Sequence, residues 1–125
     1  AMPFPFVYRV PQSIPDEILE VLRIKMVYIT SDLMKCKKEW VGPEFFRSAL
    51  KEPVHPDEGC STVLIKLETG LFADRPDDDL QVQEVLKALT DAVWEAFDGK
   101  YEVEASVAGW HPGWKHLRKA IWMTD

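Results

Sequence analysis

Cysteine, histidine and net positive charge are all scarce in this 125-residue chain, and each scarcity removes a class of function. Two cysteines, Cys36 and Cys60, lie far apart with no pairing motif around them, so no disulfide framework is expected and both read as free, buried or half-buried thiols. The three histidines, His55, His111 and His116, are scattered, and Pro112 and Gly113 interrupt any helix that would bring the last two together. No metal site is expected from them. Fifteen basic residues face 21 acidic ones, a formal net charge of −6, with no basic stripe to compensate. Long-range electrostatics would therefore repel nucleic acid and anionic membranes. Apolar runs are short and broken by charge, so neither a membrane span nor a signal peptide is expected, and a cytoplasmic setting is the default.

What the chain does have is a repeat. Its length predicts one domain over 1–125, and 46% hydrophobic residues are enough for a packed core. Phe4 to Val10 reads as a strand, Ser13 to about Lys38 as mostly helix, and Phe45 to Leu50 as a second strand. The same order returns: Thr62 to Leu67 as a strand, Asp79 to Asp98 as a helix, and Tyr101 to Val107 as a strand whose apolar and polar residues alternate. Two tandem β-α-β units are thus expected, a pseudo-repeat of 3–53 and 61–110 followed by a tail over 111–125.

Ser13 with Asp16 three residues later, and Pro15 near the first turn, form a helix-start signature. Ile18, Leu22, Met26, Ile29 and Leu33 then recur at helical spacing, as do Val82, Val85, Leu86, Leu89, Val93 and Phe97 in the second helix. Asp77, Asp78 and Asp79 suit the positive end of that helix, and Gly99 supplies its stop. Parallel strands joined by a crossover helix, twice over, predict an α+β domain: one four-stranded sheet with both helices on one face. The other face stays uncovered although its strands carry apolar residues. Self-association into a ring with sheets facing inward would bury it.

Ala1 ahead of Met2 reads as a tag remnant, so the natural chain would begin Met2-Pro3. Removal of the methionine would leave Pro3 as the amino terminus with a secondary amine. An α-amino group has a reference pKa of about 7.7 to 8.0. Burial beside cations lowers it towards neutral pH, where a general base works best. Taken alone, Pro3 and Pro5 could merely stiffen an edge strand.

Pro3 ahead of a strand, Ser13-Ile14-Pro15-Asp16 opening the first helix, Pro43-Glu44-Phe45-Phe46-Arg47 leading into the next strand, Asp74-Arg75-Pro76-Asp77 opening the second helix, and the late Trp110-His111-Pro112 together resemble the tautomerase superfamily. The two-unit members, 5-carboxymethyl-2-hydroxymuconate isomerase and macrophage migration inhibitory factor, are the most similar. The resemblance implies a cofactor-independent tautomerase or isomerase, assembled as a homotrimer, that acts on a small keto or enol carboxylic acid. Pro3 would be the catalytic base. Arg47 and Arg75 would bind substrate carboxylate, Arg47 in an adjacent subunit's site, because a guanidinium fork grips a carboxylate at two points and stabilises a dienolate. Hydratase, dehalogenase and decarboxylase chemistry are alternatives in the same superfamily.

The chain also departs from that pattern. Gln12 stands at the turn where 4-oxalocrotonate tautomerase has an arginine, with Arg9 displaced into the strand, and Leu71-Phe72-Ala73 lengthens the turn before Arg75. Arg47 and Arg75 could instead be surface charges paired with neighbours such as Glu52 or Asp77. Trp110, Trp114 and Trp122, beside Lys115, Arg118 and Lys119, could wall a pocket or form an interface, and interface is the preferred expectation. Two readings of other classes follow: a non-catalytic oligomeric binding module of this fold, and a ferredoxin-like dimer with antiparallel pairing.

Overall fold

Alternation of inward and outward side chains, shifted once between Val7 and Val10, builds the sheet. In the computed structural model, which describes residues 3–49, 62–69, 79–109 and 118, strand β1 spans Phe4–Val10 and β3 spans Val63–Thr69. Val7, Val10, Val63, Ile65 and Leu67 are fully buried on one face. Phe4, Phe6, Tyr8, Leu64, Lys66 and Glu68 point the other way and are only half-buried. Strands β2 (Glu44–Arg47) and β4 (Val103–Gly109) complete a sheet of order β2-β1-β3-β4.

β1 pairs parallel with β2, β3 pairs parallel with β4, and the two halves join antiparallel through β1 and β3. Each parallel pair is connected through a helix, α1 (Asp16–Met34) or α2 (Asp79–Ala96). The expected architecture of tandem β-α-β units is therefore present. Direct hydrogen bonding of β1 to β2 excludes the ferredoxin-like alternative, in which crossover-linked strands do not neighbour one another.

Both helices lie on the same face. Leu22, Met26 and Met34 of α1 meet Val85, Leu89, Ala92 and Val93 of α2 over the buried strand residues, with Phe97 closing the core. The opposite face carries no helix among the described residues. It displays rings in a continuous ladder: Phe4 stacks on Phe6 at 5.9 Å, Phe6 meets Tyr8 and Phe46 edge-on, and Tyr8 stacks on Phe46 at 5.0 Å.

Boundaries differ from expectation for identifiable reasons. α1 stops at Met34, not near Lys38, because Lys35 takes a left-handed conformation (φ 53°) and the Cys36 N–H turns back to the Ser31 carbonyl. Lys38–Trp40 then form a separate 3-10 turn. The N-cap of α1 is Pro15, which makes no side-chain cap bond, and its carbonyl accepts from the Ile18 and Leu19 N–H groups. β2 begins a residue early, at Glu44, and ends at Arg47. β3 and β4 each run two residues further than expected, to Thr69 and Gly109, because the parallel ladder between them continues that far.

Candidate active site

Pro3 sits at the head of β1, a central strand, and is buried. Its carbonyl accepts a hydrogen bond from the Gly42 N–H at 3.2 Å. Gly42 belongs to a short strap, Val41-Gly42-Pro43, whose outer two residues are buried. An ideal side chain at Gly42 would place its Cβ 3.0 Å from Cδ1 and 3.2 Å from Cε1 of Phe4, so the strap lies directly on that ring. β3 ends beside this edge of the sheet at Thr69, 1% exposed, and β4 ends there at Gly109. Four backbone segments thus converge on the Pro3 end.

The segment after α1 carries two exposed lysines held over aromatic rings. Lys38 Nζ lies 4.1 Å from the Tyr28 ring centroid, and Lys37 Nζ lies 5.7 Å from that of Trp40. The Cys36 thiol is pushed up by burial, so it stays protonated at neutral pH and is a poor nucleophile. That agrees with a half-buried structural thiol. Cys60 lies outside the described residues, as do Arg75, the three histidines and Trp110, Trp114 and Trp122. Among the described residues no group of histidine, cysteine or carboxylate side chains could hold a metal ion.

Arg47 is at the other end. β1 and β2 run parallel with Val10 opposite Arg47, so the length of β1, roughly 20 Å at about 3.3 Å per residue, separates it from Pro3 of the same chain. Its Nη1 donates to the Pro11 carbonyl at 3.1 Å and its Nη2 pairs with Asp16 at 2.5 Å. The expected partner, Glu52, lies outside the described residues; Asp16 takes that place. Gln12, where an arginine was the family expectation, donates its amide to the Ser48 carbonyl at 2.8 Å and so ties the turn after β1 to the end of β2.

Arg9 adopts φ 62° within β1, and the ladder to β2 shifts register between Val7 and Val10. This bulge advances the side-chain phase by one, so Val10 reaches the core while Arg9 is exposed. A groove of about 340 Å³ lies between the start of α1 and the end of α2, lined by Ser13, Ile14, Ile18, Phe97, Lys100 and Tyr101 among others. Pro3 and Arg47 are not part of it, and its walls oppose one cation with one carboxylate, Asp98. It is therefore not assigned to the Pro3 chemistry.

Sequence patterns missed Gly42 and the Arg9 bulge. Neither carries a local signal, since Gly42 gains its meaning only from the non-local pairing that lays it on Phe4.

Solved structures with this arrangement are numerous. A macrophage migration inhibitory factor-like protein from Entamoeba histolytica superposes with a TM-score of 0.65 at 10% identity, covering 94% of this chain and 96% of that one. A fused 4-OT described as a symmetric trimer gives 0.66 at 14% identity, covering 85% and 84%. A member of the cis-3-chloroacrylic acid dehalogenase family gives 0.65 at 13%, covering 85% and 73%. No protein-family model matches the sequence, and no curated protein matches it significantly. The chain accordingly has the fold of the tautomerase superfamily, and the likeness read from its motifs holds at the level of fold.

Proposed function

We propose that this chain is a cofactor-independent tautomerase or isomerase of a small keto or enol carboxylic acid, with Pro3 as general base once it is the amino terminus. The observation that carries this is the placement of Pro3: buried, at the head of a central strand, with its carbonyl held by Gly42. With Ala1 and Met2 attached, the Pro3 nitrogen is an amide and has no usable lone pair. As a free secondary amine it takes a proton from an enol hydroxyl or an activated carbon and returns it to another carbon. Burial disfavours the ammonium form and so lowers the pKa towards neutrality.

Arg47 serves this chemistry only across a subunit boundary, given its distance from Pro3 in the same chain. A homotrimer closed through the open sheet face meets that requirement, and a neighbour of this fold is described as a trimer. Arg75 is proposed as a second carboxylate ligand. The same amine in protonated form is the acid needed for hydration, dehalogenation or decarboxylation, and another neighbour belongs to a dehalogenase family.

A second reading, a non-catalytic oligomeric module, is favoured by one observation: Arg47 and Gln12 are both occupied by structural bonds. Ketonisation of phenylenolpyruvate decides between them. Protein beginning at Pro3 should turn over at least 100-fold faster than protein retaining Ala1 and Met2, as expected for loss of a general base. Its rate should rise with pH through the pKa of the amine. Equal rates for the two forms, or an unaffected Pro3→Ala variant, would overturn Pro3 as the base, and no turnover by either form would leave the binding module.

A further inference from the structure

We propose that Gly42 is a positioning residue for Pro3, acting through the room it leaves for the Phe4 ring. This deepens the reading of Pro3 as a base and rests on it. The strap residue donates its N–H to the Pro3 carbonyl at 3.2 Å, a long bond that tolerates little further separation. The same residue has no side chain where a Cβ would stand 3.0 and 3.2 Å from two carbons of Phe4. Neither neighbour yields easily. Phe4 is stacked on Phe6 with ring planes 14° apart, within the ladder that continues to Tyr8 and Phe46. The strap is pinned by Val41, 8% exposed, whose N–H is bonded to the Lys38 carbonyl, and by the buried Pro43.

A methyl group at position 42 therefore pushes the strap away from β1 and lengthens the bond to Pro3. The first residue of the strand then loses its tether and gains water. Relief of contacts at 3.0 and 3.2 Å takes a shift of only a few tenths of an ångström, so the loss is a fraction of the roughly 100-fold that about 1 Å of misplacement costs. Rehydration also restores the ordinary basicity of an α-amino nitrogen.

The test uses the full chain beginning at Pro3, labelled with ¹⁵N-proline, and follows the Pro3 nitrogen by NMR titration alongside phenylenolpyruvate kinetics and thermal melting. Gly42→Ala should raise the pKa of the Pro3 nitrogen and lower kcat several-fold, up to about tenfold, with KM little changed. Adding Phe4→Leu, which removes the ring edge, should return both towards the parent values. A lower melting temperature with an unshifted titration would reduce Gly42 to a purely structural residue and overturn the proposal. If Gly42→Ala does not fold, the G42A/F4L protein decides: a parental Pro3 titration supports the proposal and a shifted one overturns it. Failure of the catalytic reading is separately visible, because Pro3→Ala would then leave the rate intact while the titration in Gly42→Ala still moves.

Discussion

Thr30 is fully buried in α1, and its Oγ1 has no hydrogen-bond partner among the described residues. A hydroxyl taken out of water without compensation costs about 1–3 kcal/mol. Valine has nearly the same shape and helix propensity, so Thr30→Val should stabilise the protein by roughly 1 kcal/mol, read as a higher urea midpoint at unchanged slope. A lower midpoint would mean that the hydroxyl is paired. Arg47 stands at the opposite pole. Its ion pair is to Asp16, whose side chain is 89% exposed, and such pairs contribute about 0–1 kcal/mol. The bond to the Pro11 carbonyl orients the guanidinium, so its present contacts cost little to break if a substrate carboxylate competes for it.

The two helices end alike, each in a non-glycine left-handed residue, Lys35 after α1 and Asp98 (φ 58°) after α2, but only α2 has a glycine just beyond to make its ending legible. α2 is followed by Gly99 at φ 66°, whose N–H reaches back to the Trp94 carbonyl at 2.9 Å. A Cβ there would also stand 2.8 Å from the Trp94 ring. Gly99→Ala should therefore cost at least about 1 kcal/mol, measured by thermal or urea denaturation, and a neutral result would contradict the geometry. α1 ends on Lys35 at φ 53°, a residue type with no preference for that conformation, so the helical pattern ran on in the sequence to about Lys38. The strands were readable because Val63, Ile65 and Leu67 alternate with Leu64, Lys66 and Glu68 in strict period. β1 was readable until Arg9, where a bulge changes the phase and no glycine announces it. At the site, Pro3 was visible as a chemical type, but its anchor was not. Gly42 becomes meaningful only when a non-local parallel pairing lays it on Phe4, and local patterns carry no information about such pairing.

At the scale of the whole molecule, the unbalanced feature is the sheet face that carries no helix among the described residues. One face is sealed by two helices, and the other presents Phe6, Tyr8 and Phe46 half-exposed, with Lys66 Nζ bonded to Ser106 Oγ at 3.0 Å among them. α1 also exposes an apolar row, Ile18, Val21 at 69%, Ile24 at 51% and Tyr28, but the sheet rings are the set in direct ring-to-ring contact. The proposed trimer buries the contiguous ladder and leaves the helices outside. Phe46→Glu should then abolish assembly, since a carboxylate would be buried unpaired against each neighbour, while the protomer keeps its fold because Phe46 is 44% exposed before association. Light scattering should report the mass of one chain in place of three, with an unchanged far-ultraviolet circular dichroism spectrum. Phenylenolpyruvate turnover should be lost with it, because in the proposed trimer Arg47 would serve Pro3 only across a subunit boundary. Val21→Glu on the outer surface of α1 should leave mass and rate unaltered. An assembled Phe46→Glu protein, or one dissociated by Val21→Glu, would show that the subunits meet through the helices and that the ladder faces water.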